Sequence, residues 1–546
     1  MASTSKSSAK MSQYFSRLNP VPTFPEYTGP YKVGTVDVEI PVDDLSSPSV
    51  PPDNAADIST IQFRVFYPAV DESCEKRIWW LPNPQRHHVS AYTRFVGVGN
   101  TLAEVLSFFP RHLNYTSIPA HKNATMREPN TENQRWPTMI FSHGLGGSRN
   151  SYSYIAGSLA SHGVVVVCPE HRDGSAVTSF IRTPGKDVSS WRSSVGPRRI
   201  VSYTKISHDF SPDIYEAREA QLRIRLWEMG LVHEAVQAMD RGTEFRNLNV
   251  TTPSLGQFAS RLNVHEPGSI IFAGHSFGAA TINQFLKSTY YADDADVANM
   301  EKPLFVPAEG SEIRRQITAR TVTMLLDMWC MPLMAPNSKP LFNLPLPAYD
   351  DVPSAAGGTA LLLVESESFY KWSDHLQLSA RLLSPDPSAE RVLPMVYERP
   401  SGVKQAEPNF FYVLQLLRVN GIPVARTYAG DLVDGTHFDK LELSKKEEEN
   451  THAVDGLDDD EAIFDRSGSN IVDHWHWINT IGLGQPTDEE GNNKGKSVVE
   501  GAEDTEWEIK GELGPSDDAA QTTCEGHIAK SVSPASRTIQ SVAQTV

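Results

Sequence analysis

The stretch that decides the fold is SIIFAGHSFGAAT, from Ser269 to Thr281. Its apolar run ends at Gly274, and Ser276 stands between that glycine and Gly278. A serine flanked in this way fits a turn so tight that its neighbours have no room for a side chain. The residues that follow, AATINQFLKS, are small at first and then have helical spacing. The stretch therefore predicts a short buried strand, a strained turn at Ser276 and a helix.

The pattern G-x-S-x-G between a strand and a helix is typical of the nucleophile elbow of α/β-hydrolases. A glycine-rich turn with an incidental serine is the alternative, and the strand–turn–helix context favours the elbow. Strand-like runs such as WPTMIFS, VVVVCP, TALLLV and IPVARTYAGD alternate with helical segments along the chain. Such alternation is typical of a parallel sheet. We therefore expect an α/β class, the α/β-hydrolase fold, with a doubly wound, mainly parallel sheet and helices on both faces.

Local composition divides the chain into three parts. Residues 1–26 are rich in Ser, Lys and Pro and are expected to be disordered. Residues 27–485 are expected to form one catalytic domain. Within it, segments rich in Pro, charge or small residues are interpreted as insertions near 288–316, 335–357, 383–410 and 443–468. Residues 486–546 are polar and acidic, and we expect a disordered tail.

Charge and cysteine usage limit the partners and the compartment. The net charge of −18 disfavours nucleic acid as a partner. Cys74, Cys168, Cys330 and Cys524 are far apart and have no metal-ligand spacing, so we expect no disulfide framework, no metal and no cofactor. The sequence begins without the apolar core of a signal peptide and has no apolar run long enough to span a bilayer. We expect a cytoplasmic protein that can lie peripherally at membranes.

A serine nucleophile needs a base, an acid and donors for the oxyanion. In α/β-hydrolases the histidine base follows the serine and the acid in the chain. His437, in a loop-like stretch after a strand-like run and a glycine, fits best. Its competitors are His375, in a helical and exposed-looking segment, and the pair His474 and His476, whereas His171 precedes the serine.

The oxyanion hole needs two backbone N–H groups. One comes from the residue after the nucleophile, which is Phe277. The other is expected from the glycine-rich loop FSHGLGGSRN, where Leu145 stands between two glycines. An ordinary glycine turn is the weaker explanation for this loop in a chain that also carries the elbow.

Five segments together resemble the platelet-activating factor acetylhydrolase family, and they occur in order over nearly the whole body. They are GPYKVG, SHGLGGSRNSYSYIAGSLASHG, PEHRDGSA, GHSFGAAT and LLDMWCMPL. The resemblance implies a calcium-independent phospholipase A2 of intracellular type, with insertions, that removes short or oxidised sn-2 acyl groups from phospholipids. The activity that the resemblance implies is of the 1-alkyl-2-acetylglycerophosphocholine esterase type. The sequence departs from the family at Ala279, where a second glycine is common, and in its insertions and acidic tail.

The resemblance also assigns catalytic roles by position. It implies Ser276 as nucleophile, Asp327 as acid and His437 as base, with Leu145 and Phe277 as oxyanion donors. The usual position of the acid in the α/β-hydrolase fold differs from this assignment, because in many of these enzymes the acid lies one strand later. That strand is TALLLV, and the residue would be Glu365. We choose Asp327, because LLDMW matches the family around the acid itself.

A phospholipase must reach its substrate, and the segment Tyr92–Phe109 is apolar with few charges. It could rest weakly and reversibly on a membrane surface, or it could pack into the core, because periodicity does not separate these alternatives. The expected partner is the phospholipid substrate. Two other functions stay open: an α/β-hydrolase with another ester or amide substrate, and a non-catalytic lipid-binding relative.

Overall fold

The computed structural model describes residues 24–426, except 109–110, 183–197, 250, 253–254, 351–359, 367–368, 370–371, 385, 389–412, 415 and 419. Its centre is a ten-stranded sheet. The strands are β1 (Lys32–Pro41), β2 (Thr60–Ala69), β3 (Arg77–Trp79), β4 (Ser117–Lys122), β5 (Trp136–Ser142), β6 (Val165–Pro169), β9 (Leu262–Asn263), β10 (Ile270–His275), β11 (Thr323–Leu326) and β12 (Leu361–Val364). A separate two-stranded ribbon consists of β7 (Thr178–Arg182) and β8 (Arg198–Ser202).

The half of the sheet that carries the elbow is parallel. The strand order is β12-β11-β10-β5-β6-β2-β1-β4-β3, with β9 beside β5. From β6 to β12 all neighbours are parallel, as the β-branched runs predict. The longest strands, β1 and β2, pair antiparallel, and β2 is also antiparallel to β6. The predicted α/β-hydrolase fold with a mainly parallel sheet is confirmed.

Helices flank this sheet. In chain order they are α1 (Gln85–Phe95), α2 (Asn100–Leu106), α3 (Arg111–Tyr115), α4 (Ser153–Ser161), α5 (Pro212–Asp240), α6 (Phe277–Tyr290), α7 (Ala295–Ala298), α8 (Glu312–Gln316), α9 (Lys339–Asn343) and α10 (Ser373–Leu382). The helix α5 starts with proline at its first position, where the missing N–H costs no hydrogen bond. Arg225 and Glu228 on α5 are buried and form ion pairs with Asp173 and Arg172, so the interior of this protein contains paired charges.

Two expectations need correction. The predicted strand IPVARTYAGD is not a strand in its first residues, because 422–425 have no regular structure, and the rest lies outside the described residues. His375 does lie in a helix but is buried and not exposed. The insertion at 443–468, the tail at 486–546 and His474 and His476 also lie outside the described residues.

The carboxyl ends of the parallel strands meet at one edge of the sheet. Ser142 ends β5, Ser276 directly follows β10, Asp327 follows β11 and Glu365 follows β12. This edge is where open α/β sheets bind their ligands. Among the described helices, none is both long and apolar enough to cross a membrane.

Candidate active site

Ser276 lies at the turn between β10 and α6 in a strained conformation. Its φ is 54° and its ψ is −118°, a combination that costs free energy for a residue with a side chain. A Cβ atom added to Gly274 would lie 2.5 Å from the carbonyl of Gly278, and one added to Gly278 would lie 2.0 Å from the carbonyl oxygen of Ser142. Both glycines are therefore required by close backbone contacts. The predicted strand, strained turn and helix are confirmed.

The loop after β5 passes directly beside Ser276. A Cβ atom added to Gly144 would lie 3.1 Å from the Cβ of Ser276. The next residue, Leu145, is the predicted oxyanion donor, and Gly146 after it has a φ of 68° that favours glycine. Phe277 begins α6, where the first N–H groups of a helix have no partner within the helix. The structure thus brings the Leu145 loop and the Phe277 helix end to the same serine.

Asp327 directly follows β11, the strand that pairs with β10. Its Oδ2 lies 3.4 Å from Nε2 of His275, and its Oδ1 accepts the N–H of Ser366. Burial acts to raise the pKa of Asp327, but the interactions with His275 and Ser366 outweigh it and hold the pKa below its usual value. Asp327 is therefore a charged carboxylate at neutral pH.

Glu365 is the neighbouring carboxyl group, and its surroundings differ. It is buried and accepts a hydrogen bond of 3.0 Å from the hydroxyl of Ser379. Burial, and then the negative charge of Asp327, raise the pKa of Glu365 well above its usual value. Glu365 is therefore neutral when Asp327 is charged. A triad acid must stabilise an imidazolium, and this environment favours Asp327 for that role.

The predicted base, His437, lies outside the described residues, so its role stays a prediction. Its competitor His375 is engaged elsewhere. Nε2 of His375 accepts the N–H of Cys330 at 3.1 Å, and its ring stacks on Trp372 at 4.4 Å. Burial lowers the pKa of His375 to about 4. A neutral imidazole whose Nε2 lone pair is already used is a structural histidine.

His275 and Tyr152 are two site residues that sequence reasoning missed. The hydroxyl of Tyr152 lies 2.7 Å from Nδ1 of His275 and accepts the N–H of Gly144 at 3.2 Å. If Nε2 of His275 donates to Asp327, Nδ1 accepts from Tyr152, and every proton in this chain has a partner. These contacts connect the loop after β5 that carries Leu145, called here the oxyanion loop, with the strand before Ser276 and with Asp327. Only the histidine within the elbow motif gave any signal of it in the sequence.

The last residue of helix α1 packs against the glycine-rich loop beside Ser276. A Cβ atom added to Gly146 would lie 2.7 Å from the ring of Phe95, and Phe95 packs against Tyr203 at 4.8 Å. Farther along, Val96 is 65% exposed, Leu102 55% and Phe108 59%. Part of the Tyr92–Phe109 segment thus presents apolar side chains to solvent. Phe109 itself lies outside the described residues.

Within the described part of the chain, no three His, Cys, Asp or Glu side chains converge as metal ligands would. Cys168 and Cys330 are buried free thiols and Cys74 is an exposed one. Cys168 lies in β6, as expected of a small buried apolar residue.

The chain is similar to platelet-activating factor acetylhydrolases and to a putative phospholipase A2. A family model described as platelet-activating factor acetylhydrolase, isoform II, matches residues 18–335, which is more than half of the chain. The chain is 32% identical to a putative phospholipase A2 of Schizosaccharomyces pombe, with 47% of this chain and 57% of that protein covered. It is 28% identical to a platelet-activating factor acetylhydrolase of Cavia porcellus, with 48% and 52% covered. The chain thus spans about half the length of the curated relatives it matches.

Among solved structures, a ferulic acid esterase from Streptomyces cinnamoneus is similar at 16% identity and a TM-score of 0.37, with 69% of this chain and 76% of that chain covered.

Proposed function

Because the chain belongs to the platelet-activating factor acetylhydrolase isoform II family, we propose that it is a serine-dependent ester hydrolase of phospholipids. Its substrates are phospholipids with short or oxidised sn-2 acyl groups, such as 1-alkyl-2-acetylglycerophosphocholine. The observation that carries this proposal is the strained Ser276 between two required glycines, with a glycine-rich loop on one side and the end of a parallel strand carrying a charged aspartate on the other.

The proposed mechanism is acyl transfer in two steps. His437 takes the proton of the Ser276 hydroxyl as its oxygen attacks the sn-2 carbonyl carbon. The N–H groups of Leu145 and Phe277 hold the negative charge that develops on the carbonyl oxygen. Asp327 orients the imidazole and stabilises its charged form. The tetrahedral intermediate collapses, the lysophospholipid leaves with the proton from His437, and an acyl group stays on Ser276.

The second step repeats the first with water. His437 takes a proton from water, the hydroxide oxygen attacks the acyl carbon, and the same donors hold the oxyanion. Collapse returns the proton to Ser276 and releases the carboxylic acid. His275 and Tyr152 do not touch the reacting atoms in this scheme. They keep Asp327 and the Gly144 backbone in a fixed relation to the nucleophile strand.

We also propose that the Tyr92–Phe109 segment makes weak, reversible contact with a phospholipid surface. Its support is the exposure of Leu102 and Phe108 and the packing of Phe95 on the oxyanion loop. A lipid bound at this segment would enter the site from its edge. The net charge of −18 favours a zwitterionic surface over an anionic one.

A fluorophosphonate probe tests the role of Ser276. We expect the probe to label Ser276 in the unaltered protein and to leave Ser276→Ala unlabelled, because only an activated serine reacts. Ser269→Ala is the matched control, since Ser269 precedes the other end of the same strand, and it should be labelled like the unaltered protein. Peptide mass spectrometry identifies the labelled residue. Labelling at no serine would favour the non-catalytic lipid-binding alternative.

A further inference from the structure

Ser142, His171 and Glu228 form a second serine–histidine–carboxyl arrangement away from the surface, in which burial raises the pKa of Glu228 to about 8. The hydroxyl oxygen of Ser142 lies 2.9 Å from Nε2 of His171, and Nδ1 of His171 lies 3.0 Å from Oε2 of Glu228. These are the contacts of a catalytic triad. Ser142 and His171 have no exposed surface and Glu228 is 1% exposed, so no substrate reaches this serine. The arrangement, called here the buried triad, therefore needs another explanation.

Arg225 on α5 connects the buried triad to the oxyanion loop. One of its terminal nitrogens donates to the carbonyl oxygen of His143 at 2.8 Å and lies 3.4 Å from the hydroxyl of Ser142. Its Nε donates to Asp173 at 2.9 Å, so the charge of this fully buried guanidinium is paired. Burial holds the pKa of His171 well below its usual value, and the neutral ring has one donor and one acceptor for its two neighbours.

The buried triad lies at the base of the loop that carries Leu145. Ser142 is the last residue of β5, and the N–H of His171 donates to the ring of the next residue, His143. On the far side of the loop, the N–H of Gly146 donates to the carbonyl of Ser175 at 2.8 Å. Ser175 and His171 belong to the same stretch after β6. One continuous set of buried polar contacts therefore holds the loop at both of its ends.

We propose that Ser142, His171 and Glu228 are positioning residues that keep the N–H of Leu145 aimed at the oxyanion of the Ser276 reaction. This inference rests on the proposed function. An oxyanion donor works only if it is already oriented when the charge develops, because reorientation during the reaction would cost free energy. A glycine-rich loop is mobile by itself, and buried contacts at its base restrict it. Burying these polar side chains costs free energy. Their role in positioning the loop explains their presence without a second reaction.

Ser142→Ala is the variant that tests the proposal with the smallest change in shape. It removes the hydroxyl contacts to His171 and Arg225 and leaves the other hydrogen bonds at the base of the loop, such as that from Arg225 to the carbonyl of His143, in place. We expect kcat for a soluble short-chain ester to fall about 10-fold with little change in KM, less than the roughly 10²–10³-fold that loss of a whole oxyanion donor costs. Ser142→Cys keeps a weak donor of similar shape and should retain part of the lost activity. Ser158→Ala, a fully buried serine on α4, is the matched control and should retain full kcat.

Two binding measurements separate positioning from simple loss of structure. A trifluoromethyl ketone forms a tetrahedral adduct with the nucleophile, and its affinity should fall by the same factor as kcat/KM in Ser142→Ala. The affinity for a phospholipid with an ether in place of the sn-2 ester should stay unchanged, because this analogue develops no oxyanion. Thermal unfolding of each variant shows whether the fold persists.

Three results would overturn the proposal. The first is a folded Ser142→Ala protein with unchanged kcat and unchanged affinity for the ketone. The second is labelling of Ser142 by a fluorophosphonate in the Ser276→Ala background, which would make the buried triad a second nucleophile. The third is absence of labelling at Ser276 in the unaltered protein, which would overturn the proposed function as well. Parallel loss of kcat and ketone affinity supports the proposal.

Discussion

Two carboxyl groups lie side by side at the ends of β11 and β12, and they differ in charge. Asp327 has a pKa below its usual value because the contacts with His275 and Ser366 outweigh its burial, whereas burial and the nearby Asp327 keep Glu365 protonated. The substitution Glu365→Gln therefore replaces a neutral group by a neutral group of the same shape. Asp327→Asn removes a charge that the proposed mechanism uses. We therefore expect the two substitutions, although both conserve the shape of the side chain, to differ in their effect on activity.

We expect Asp327→Asn to lower kcat by up to about 10⁴-fold, as loss of the triad acid does in serine proteases. Glu365→Gln should lower it far less. Steady-state hydrolysis of a soluble ester measures both variants, and circular dichroism controls for folding. A larger loss of kcat in Glu365→Gln than in Asp327→Asn would assign the acid to Glu365, which is the usual position in the α/β-hydrolase fold.

At the scale of elements, helix α6 contains a fully buried lysine. Burial lowers the pKa of Lys287 to about 7, and its Nζ has no hydrogen-bond partner within the structure as described. An unfolded lysine titrates near 10.4, so between about pH 7 and that value the unfolded chain binds more protons than the folded one. The free energy of unfolding should then rise with pH in this window, by up to about 1.4 kcal/mol per pH unit from this one group.

Lys287→Met should remove this dependence and should stabilise the protein at pH 7, because it removes a buried group that is costly to charge. Urea unfolding at several pH values between 7 and 10 measures the difference between the two proteins. Lys339→Met, at an exposed lysine that begins α9, is the control and should leave the slope unchanged. Parallel stability curves for Lys287→Met and the unaltered protein would show that Lys287 is charged in the folded state.

The segment after α1 is the second element with a testable property. Leu102 and Phe108 are both more than half exposed, and the guanidinium of Arg86 lies 3.6 Å from the ring of Phe108. Replacing Leu102 and Phe108 by Ser should weaken sedimentation with phosphatidylcholine vesicles, because buried apolar area drives interfacial binding. Hydrolysis of a soluble ester should persist, since neither side chain is part of the catalytic set.

The matched control replaces Val50 and Val306 by Ser. These two exposed valines line a separate cavity with Trp227 and do not belong to the Tyr92–Phe109 segment. Their replacement should leave vesicle binding unchanged. Equal loss in both double variants would point to general surface hydrophobicity, and unchanged binding in the Leu102 and Phe108 variant would contradict the proposed contact.

In the molecule as a whole, the sequence predicts those elements that a local pattern of residues determines. The elbow at Ser276 follows from two glycines and an apolar run, and β6 follows from a β-branched run. Antiparallel pairing of β1 with β2 and of β2 with β6 does not follow, because strand patterning reports burial and not the identity of the neighbour.

The buried polar contacts could not be predicted from the sequence either. Contacts such as His171 with Glu228, or Tyr152 with His275, join residues that are 57 and 123 positions apart. His375 looks exposed in a charged helical segment, yet the fold buries it against Cys330. Such pairings depend on which elements the fold brings together, and the local spacing of residues does not predict them.

The proposed function requires Ser276 to cleave the sn-2 ester of phospholipids with short acyl groups. A series of 1-alkyl-2-acylglycerophosphocholines, from acetyl to palmitoyl at sn-2, tests this requirement when kcat/KM is measured from the release of lysophospholipid. We predict the highest kcat/KM for the acetyl ester, a steady decline toward palmitoyl, and no release by Ser276→Ala at any length. Equal cleavage of acetyl and palmitoyl esters, or release that persists in Ser276→Ala, would contradict the proposed function.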